Sequence, residues 1–347
     1  MKKVITIFYV FIHLSQLLAQ EGFIKAYDFD NPTAVRFNAM LLDDSELIVC
    51  GFINDSVPPY QTGIFFSKID TLGEVLNFTT YHDSLGYSYV PGANPGGLIK
   101  LEDNSGYLFT GTVFQGADGF LSKWDLEGNL VWVKRLEDST SLQGFYHSLL
   151  ETESGFLIGA HKQIPITASS TIDISLIKTD KQGDVQWEQQ YGETWNGDLL
   201  NSLLKKNNNE YVLGGLKGAG GTQENTEVQI FAVDSLGEEK WYWQSNTPLE
   251  PGTYENIGCF GLNQDEEGNW AYATRRNVNQ TVGVWFVQGI FVVRDSNFNL
   301  ITERVYDEAD GQQNHFLNLV PLSDGDWLGL GVSLEEVANS NPPFGHN

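Results

Sequence analysis

Cysteine is nearly absent. Cys50 and Cys259 allow at most one bridge in 347 residues, so a disulfide scaffold is excluded and a large apolar core must hold the chain together. Positive charge is scarce as well, with 20 Lys and Arg against 45 Asp and Glu and a formal net charge of -25. Such a field repels phosphate backbones and anionic lipid, which argues against nucleic acid as a partner. Beyond the first twenty residues no stretch reaches the roughly 18 apolar residues a membrane helix needs, so no membrane span is expected. Catalytic motifs are missing too. There is no H-E-x-x-H pair for zinc and no G-x-S-x-G elbow for a nucleophilic serine.

What is present begins with MKKVITIFYVFIHLSQLLAQ, in which Lys2 and Lys3, an apolar run from Val4 to Ile12 and the small Ala19 follow the layout of a signal peptide. Residues 1–19 are therefore expected to be removed, leaving a mature chain from Gln20 that is secreted or held at the cell surface. No cysteine lies near Ala19 to carry a lipid anchor.

The remaining chain repeats itself. KIDTLGEVLN, KWDLEGNLVW, KTDKQGDVQW and AVDSLGEEKW each place a glycine three residues after an aspartate, and the last three add a tryptophan four residues further on. Asp70, Asp125, Asp180, Asp234 and Asp295 are separated by 55, 55, 54 and 61 residues, the signature of stacked supersecondary units. The Asp can close a tight turn onto its own backbone, Gly supplies positive φ, and Trp132, Trp187 and Trp241 in the returning strand can pack between sheets. In the fifth copy, VRDSNFNLIT, Phe298 stands where Gly belongs and Thr302 where Trp belongs, so this unit reads as degenerate. A second hairpin precedes each turn, marked by Tyr107 with Gly111, Tyr211 with Gly215 and Trp327 with Gly331. Four strands, a to d, in about 55 residues predict an all-β β-propeller of about six four-stranded blades over residues 20–333. QEGFIKAYDFD aligns with a d strand and would complete the last blade. Residues 334–347 carry Pro342 and Pro343 and predict an irregular tail or a truncated blade, leaving the last blade incomplete or closed by the N-terminal strand.

The D-x-x-G-x-x-x-W turn, with aromatic-x-x-x-G in strand b, resembles the quinoprotein-like propeller repeats of secreted bacterial proteins, over about residues 20–333. That family often ends in a type-nine-secretion sorting domain. Its repeats usually hold one more residue between Asp and Gly, and its cofactor-bearing enzymes show an adjacent cysteine pair that this chain lacks, so the resemblance implies architecture without a quinone.

Function in a propeller is expected on the loops joining d to a and b to c. Those here are long and rich in Tyr, Trp and Asn, which suits contact with a glycan or an extracellular protein. Tyr87, Tyr89, Trp195, Asn196, Tyr254, Arg275 and Arg276 are the candidate binding residues. The a to b and c to d turns on the opposite face are acidic. Turn chemistry and solubility explain most of this, and weak calcium binding is the functional reading, with Asp43, Asp44, Asp265, Glu266 and Glu267 the densest oxygen clusters. A non-catalytic binding or adhesion propeller is the leading expectation. A propeller-type glycoside hydrolase or lyase, which needs two carboxylates about 5–9.5 Å apart, and a structural surface-matrix component are the alternatives.

Overall fold

The computed structural model describes residues 34–334 apart from short stretches at 56–57, 59, 93–95, 115–116, 167–168, 193–196, 219–225, 246–252, 255–257, 282–283, 307–312 and 323–325. The expected signal peptide, the d strand over residues 20–29 and the tail beyond residue 334 lie outside the described residues.

Among the described residues, six antiparallel sheets follow one another along the chain. The first holds β1 (Ala34–Asp43), β2 (Glu46–Asn54), β3 (Thr62–Asp70) and β4 (Val75–Tyr81). The second holds a split first strand, β5 (Ser88–Pro91) and β6 (Leu98–Lys100), then β7 (Tyr107–Phe114), β8 (Gly119–Trp124) and β9 (Leu130–Leu136). The third holds β10 (Gln143–Thr152), β11 (Gly155–Ile166), β12 (Ser169–Asp180) and β13 (Val185–Tyr191). The fourth holds β14 (Asp198–Asn207), β15 (Glu210–Lys217), β16 (Glu227–Val233) and β17 (Glu239–Gln244). The fifth again splits its first strand into β18 (Thr253–Tyr254) and β19 (Phe260–Gln264), followed by β20 (Trp270–Thr281), β21 (Val284–Arg294) and β22 (Leu300–Tyr306). The sixth contributes β23 (Gln313–Pro321) and β24 (Trp327–Leu334).

First strands of successive sheets touch in order, β1 with β6, β6 with β10, β10 with β14, β14 with β19 and β19 with β23, which makes them an inner wall. Each sheet is thus one blade and the chain is a β-propeller of about six blades. The inner wall is stitched by polar groups. Asn38 Nδ2 donates to the Pro91 carbonyl at 2.9 Å, and Leu149 N to Gly96 O at 2.8 Å. Ser202 Oγ donates to Cys259 O at 2.8 Å, and Asn263 Nδ2 to Leu319 O at 3.4 Å. Asn38, His147 and Asn201 are each the extra residue of a bulge in the first strand of their blade. The aromatic-x-x-x-Gly spacing follows from this wall: a Cβ on Gly51, Gly111 or Gly215 would lie 2.0–2.2 Å from a backbone oxygen of the neighbouring first strand.

Apolar side chains fill the spaces between adjacent blades. The Asp turn is built as its residue types require. Asp70 Oδ1 accepts the N–H groups of Leu72 and Glu74, both at 2.8 Å, and Asp125, Asp180, Asp234 and Asp295 repeat the bond to the fourth residue on. The tryptophans pack onto the turn of the next blade. A Cβ on Gly183 would lie 3.0 Å from the ring of Trp132, and one on Gly237 3.1 Å from that of Trp187. Glycine is therefore needed there twice, for its positive φ (83° and 84°) and to seat the neighbour's indole. Cys50 and Cys259 are free thiols, both buried but in different clusters.

Candidate functional site

The fifth turn breaks that rule. Phe298 occupies the glycine position at a φ of 62°, and the turn nonetheless forms, with Phe298 N donating to Asp295 O at 2.9 Å. The copy expected to be degenerate is therefore intact as a turn and altered only in what it presents. A non-glycine residue in the left-handed region costs roughly 1–2 kcal/mol, so something must offset it. The Phe298 ring lies between Trp243 (centroids 5.0 Å apart, planes 11° apart) and Trp270 (5.8 Å, 6°), a three-ring parallel stack. Arg294 donates from Nη1 to the Phe298 carbonyl at 3.0 Å and lays its guanidinium over Trp243, 4.7 Å from the ring centroid. Lys206 stands 5.8 Å from the centroid of Trp270. Aromatic pairs and cation–π contacts of this kind are each worth roughly 0.5–1.5 kcal/mol, enough together to hold the strained residue in place.

With glycine replaced, Trp241 cannot settle on the turn as Trp187 does on Gly237. It stands instead at 52° to Phe298 and 58° to Trp270, and the planes enclose a wedge. Beside these rings lies a half-open cavity of about 430 Å³ between blades four and five, lined by them together with Tyr242, Lys206, Gln264, Ser296 and Asn297. That volume lies in the range of small-molecule sites. Trp241 is fixed from behind, its Nε1–H donating to Glu210 Oε1 at 3.2 Å. The same carboxylate accepts from Lys206 at 2.9 Å and from Lys240 at 2.5 Å. Burial alone would raise the Glu210 carboxyl, but the bonds from Lys240, Lys206 and Trp241 overcome it and hold the group down at about 2.

No family model matches the chain. None of the curated proteins matches it either. Among solved structures it is similar to a GH43 β-1,3-galactosidase, at 11% identity over 83% of this chain and 75% of that one, with a TM-score of 0.39. It is similar as well to the β-propeller domain of the trilobed protease from Pyrococcus furiosus, at 8% identity over 83% and 87% of the two chains, with a TM-score of 0.37. Likeness at this level concerns the fold alone.

The residues expected from the sequence fall elsewhere. Tyr87 is exposed, with the Arg135 guanidinium 4.3 Å above its ring. Tyr89 is 2% exposed, its hydroxyl donates to Asp83 Oδ2 at 2.8 Å, and its ring packs edge-on against Phe120, so it braces the loop from beneath. Arg275 lies over Phe260 at 4.9 Å in the fifth blade, and burial draws its guanidinium down. Tyr254 and Arg276 sit in β18 and β20, paired with Asn277 and Gln288, with side chains outside the described set. Trp195 and Asn196 lie outside the described residues. No described contact joins Tyr87 to Arg275.

The acidic candidates divide between two blades. Asp43 bonds Lys100 Nζ at 2.7 Å and the Tyr107 hydroxyl at 2.6 Å, and these hold its carboxyl below the usual range. Asp44 is the turn residue beside it, at a φ of 53°. Asp265 closes its own turn onto Asn269 at 2.7 and 3.0 Å, the D-x-x-G design once more, with Glu266 exposed and Glu267 Oε2 3.4 Å from Asn269 Nδ2. Among the described residues no three His, Cys, Asp or Glu side chains gather as a metal would require.

Proposed function

We propose that the chain is a non-catalytic extracellular binding propeller whose cavity between blades four and five holds a sugar ring. The observation that carries this reading is the aromatic wedge created by Phe298 at a position where four other turns keep glycine. Departure from a locally optimal residue, offset by a built environment, marks a place shaped for something other than folding. A pyranose has an apolar face and a rim of hydroxyls. The Trp241 plane matches the face, while the Gln264 and Asn297 amides and the Ser296 hydroxyl at the edge match the rim. Catalysis of glycoside cleavage is not part of the proposal, because it needs two carboxylates and, among the described residues, no Asp or Glu lines this cavity. Export by residues 1–19 would place the domain among extracellular glycans. The binding surface is then on the turn face, opposite the long loops that the sequence singled out.

The test is a titration of the purified chain with an oligosaccharide panel, followed by intrinsic tryptophan fluorescence and calorimetry. Saturable binding is expected, and Trp241→Ala should weaken it about tenfold or more, as truncating a central aromatic anchor does. Trp132→Ala removes the equivalent tryptophan two blades earlier. It should lower stability without changing affinity. Equal loss of affinity in both variants would sink the assignment to this cavity.

A further inference from the structure

The cavity also constrains the charge of what it holds, and this inference rests on the glycan reading. Aromatic clusters often serve cations, but both cation positions here are already filled by the protein: Arg294 covers Trp243 and Lys206 covers Trp270. A cationic ligand would meet like charge at each end of the stack.

Among the described residues the lining holds one lysine and no acid, in a chain where acids outnumber bases 45 to 20. Behind it, Glu210 receives two ammonium groups, so the trio of Glu210, Lys206 and Lys240 carries one positive charge in surplus. The two lysines are not equivalent. Lys206 borders the cavity, whereas Lys240 does not. Glu210 keeps Lys240 and the Trp241 indole if Lys206 turns away, and exchanging one partly exposed ion pair for another costs little.

We propose that the bound sugar carries an anionic substituent, a carboxylate or a sulfate, and that Lys206 swings from Glu210 to bind it at the cavity rim. The Trp241 plane holds the ring and Lys206 reads the charge. The strongly negative chain would repel a long polyanion, so a short or sparsely charged acidic glycan fits this site best.

Three oligosaccharides of one backbone separate the possibilities: a neutral form, a uronate form and a sulfated form, each titrated calorimetrically against the native chain, Lys206→Met and Lys240→Met. Methionine keeps the length and apolar stem of lysine, and thermal melts establish that both variants fold. The native chain should prefer at least one anionic form about tenfold, because a charge-assisted hydrogen bond replaces a neutral one. Lys206→Met should abolish that preference, so that the neutral and anionic forms bind alike, and Lys240→Met should retain it. Which anionic form binds more tightly identifies the group. If the neutral form binds as tightly as the others and Lys206→Met changes nothing, the charge inference is overturned and the glycan reading survives. If none of the three binds at millimolar concentration, both are overturned.

Discussion

Replacing Lys162 by alanine should destabilise the folded chain by about 3–5 kcal/mol. Lys162 lies in β11 with 1% of its side chain exposed, its ammonium 2.9 Å from Asp138 Oδ2 and 2.6 Å from Glu188 Oε1. Asp138 belongs to the connection between blades two and three and is itself 4% exposed. Its other oxygen accepts from the Thr140 N–H and hydroxyl and the Ser141 N–H. Burial alone would raise the Asp138 carboxyl, but Lys162, Ser141 and Thr140 together hold it well below the usual range. Removing the lysine strands a buried carboxylate. A surface ion pair would be worth a fraction of this, so the size of the loss separates the two situations. Urea unfolding followed by tryptophan fluorescence measures it, and adding Asp138→Asn to Lys162→Ala should recover a large part by removing the stranded charge. A loss under about 1 kcal/mol, or no recovery in the double variant, would show that the triad holds nothing together.

Acid should loosen the same blade. His147 Nε2 lies 3.3 Å from His161 Nδ1, and Ser148 Oγ lies 3.0 Å from His147 Nδ1. Burial, reinforced by the charge of His161, pulls His147 down to about 3, and burial pulls His161 down to about 4. Both folded values lie below the unfolded value of about 6.5. The unfolded chain therefore binds more protons, and stability is full above pH 6.5 and falls as the pH drops below it. At about 1.4 kcal/mol per pH unit per histidine, roughly 3 kcal/mol is lost for each by pH 4.5. Asp173 and Glu227, whose carboxyls burial raises, work in the opposite direction, so the variant comparison is decisive. His147→Gln should lower the slope of unfolding free energy against pH between 6.5 and 4.5 by about 1.4 kcal/mol per pH unit, the share of one histidine. An unchanged slope would remove the pair as its cause.

The Asp–Gly turns and the four-strand period are legible because each is a local device with its own residue signature. Asp70 and Gly73 make their turn from bonds within five residues. The buried histidine pair was not legible. A strand read with a period of two sends His147 outward from Tyr146, but the bulge between Tyr146 and Ser148 turns Tyr146, His147 and Ser148 inward together. The burial of Tyr89 is hidden for a related reason, since a tyrosine in a polar loop looks available until Asp83 is seen to hold its hydroxyl. The aromatic cavity was half visible. Phe298 stands out in the sequence as the wrong residue for its turn, but its meaning depends on Trp241 packing onto the following blade, a contact between residues 57 positions apart. Trp243 and Trp270 then complete a stack that no single repeat contains.

In the proposed site one exchange, phenylalanine for glycine at position 298, makes the place for the ligand. Phe298→Gly restores the common turn, relieves about 1 kcal/mol or more of backbone strain, and gives Trp241 the seat that Trp187 finds on Gly237. The decisive measurement is the affinity of Phe298→Gly for whichever oligosaccharide the native chain binds, with the thermal midpoint recorded beside it. A loss of tenfold or more in affinity from a chain that still melts cooperatively is the predicted result. Unaltered affinity would contradict it, for the wedge would then be packing between two blades and the ligand would be held elsewhere.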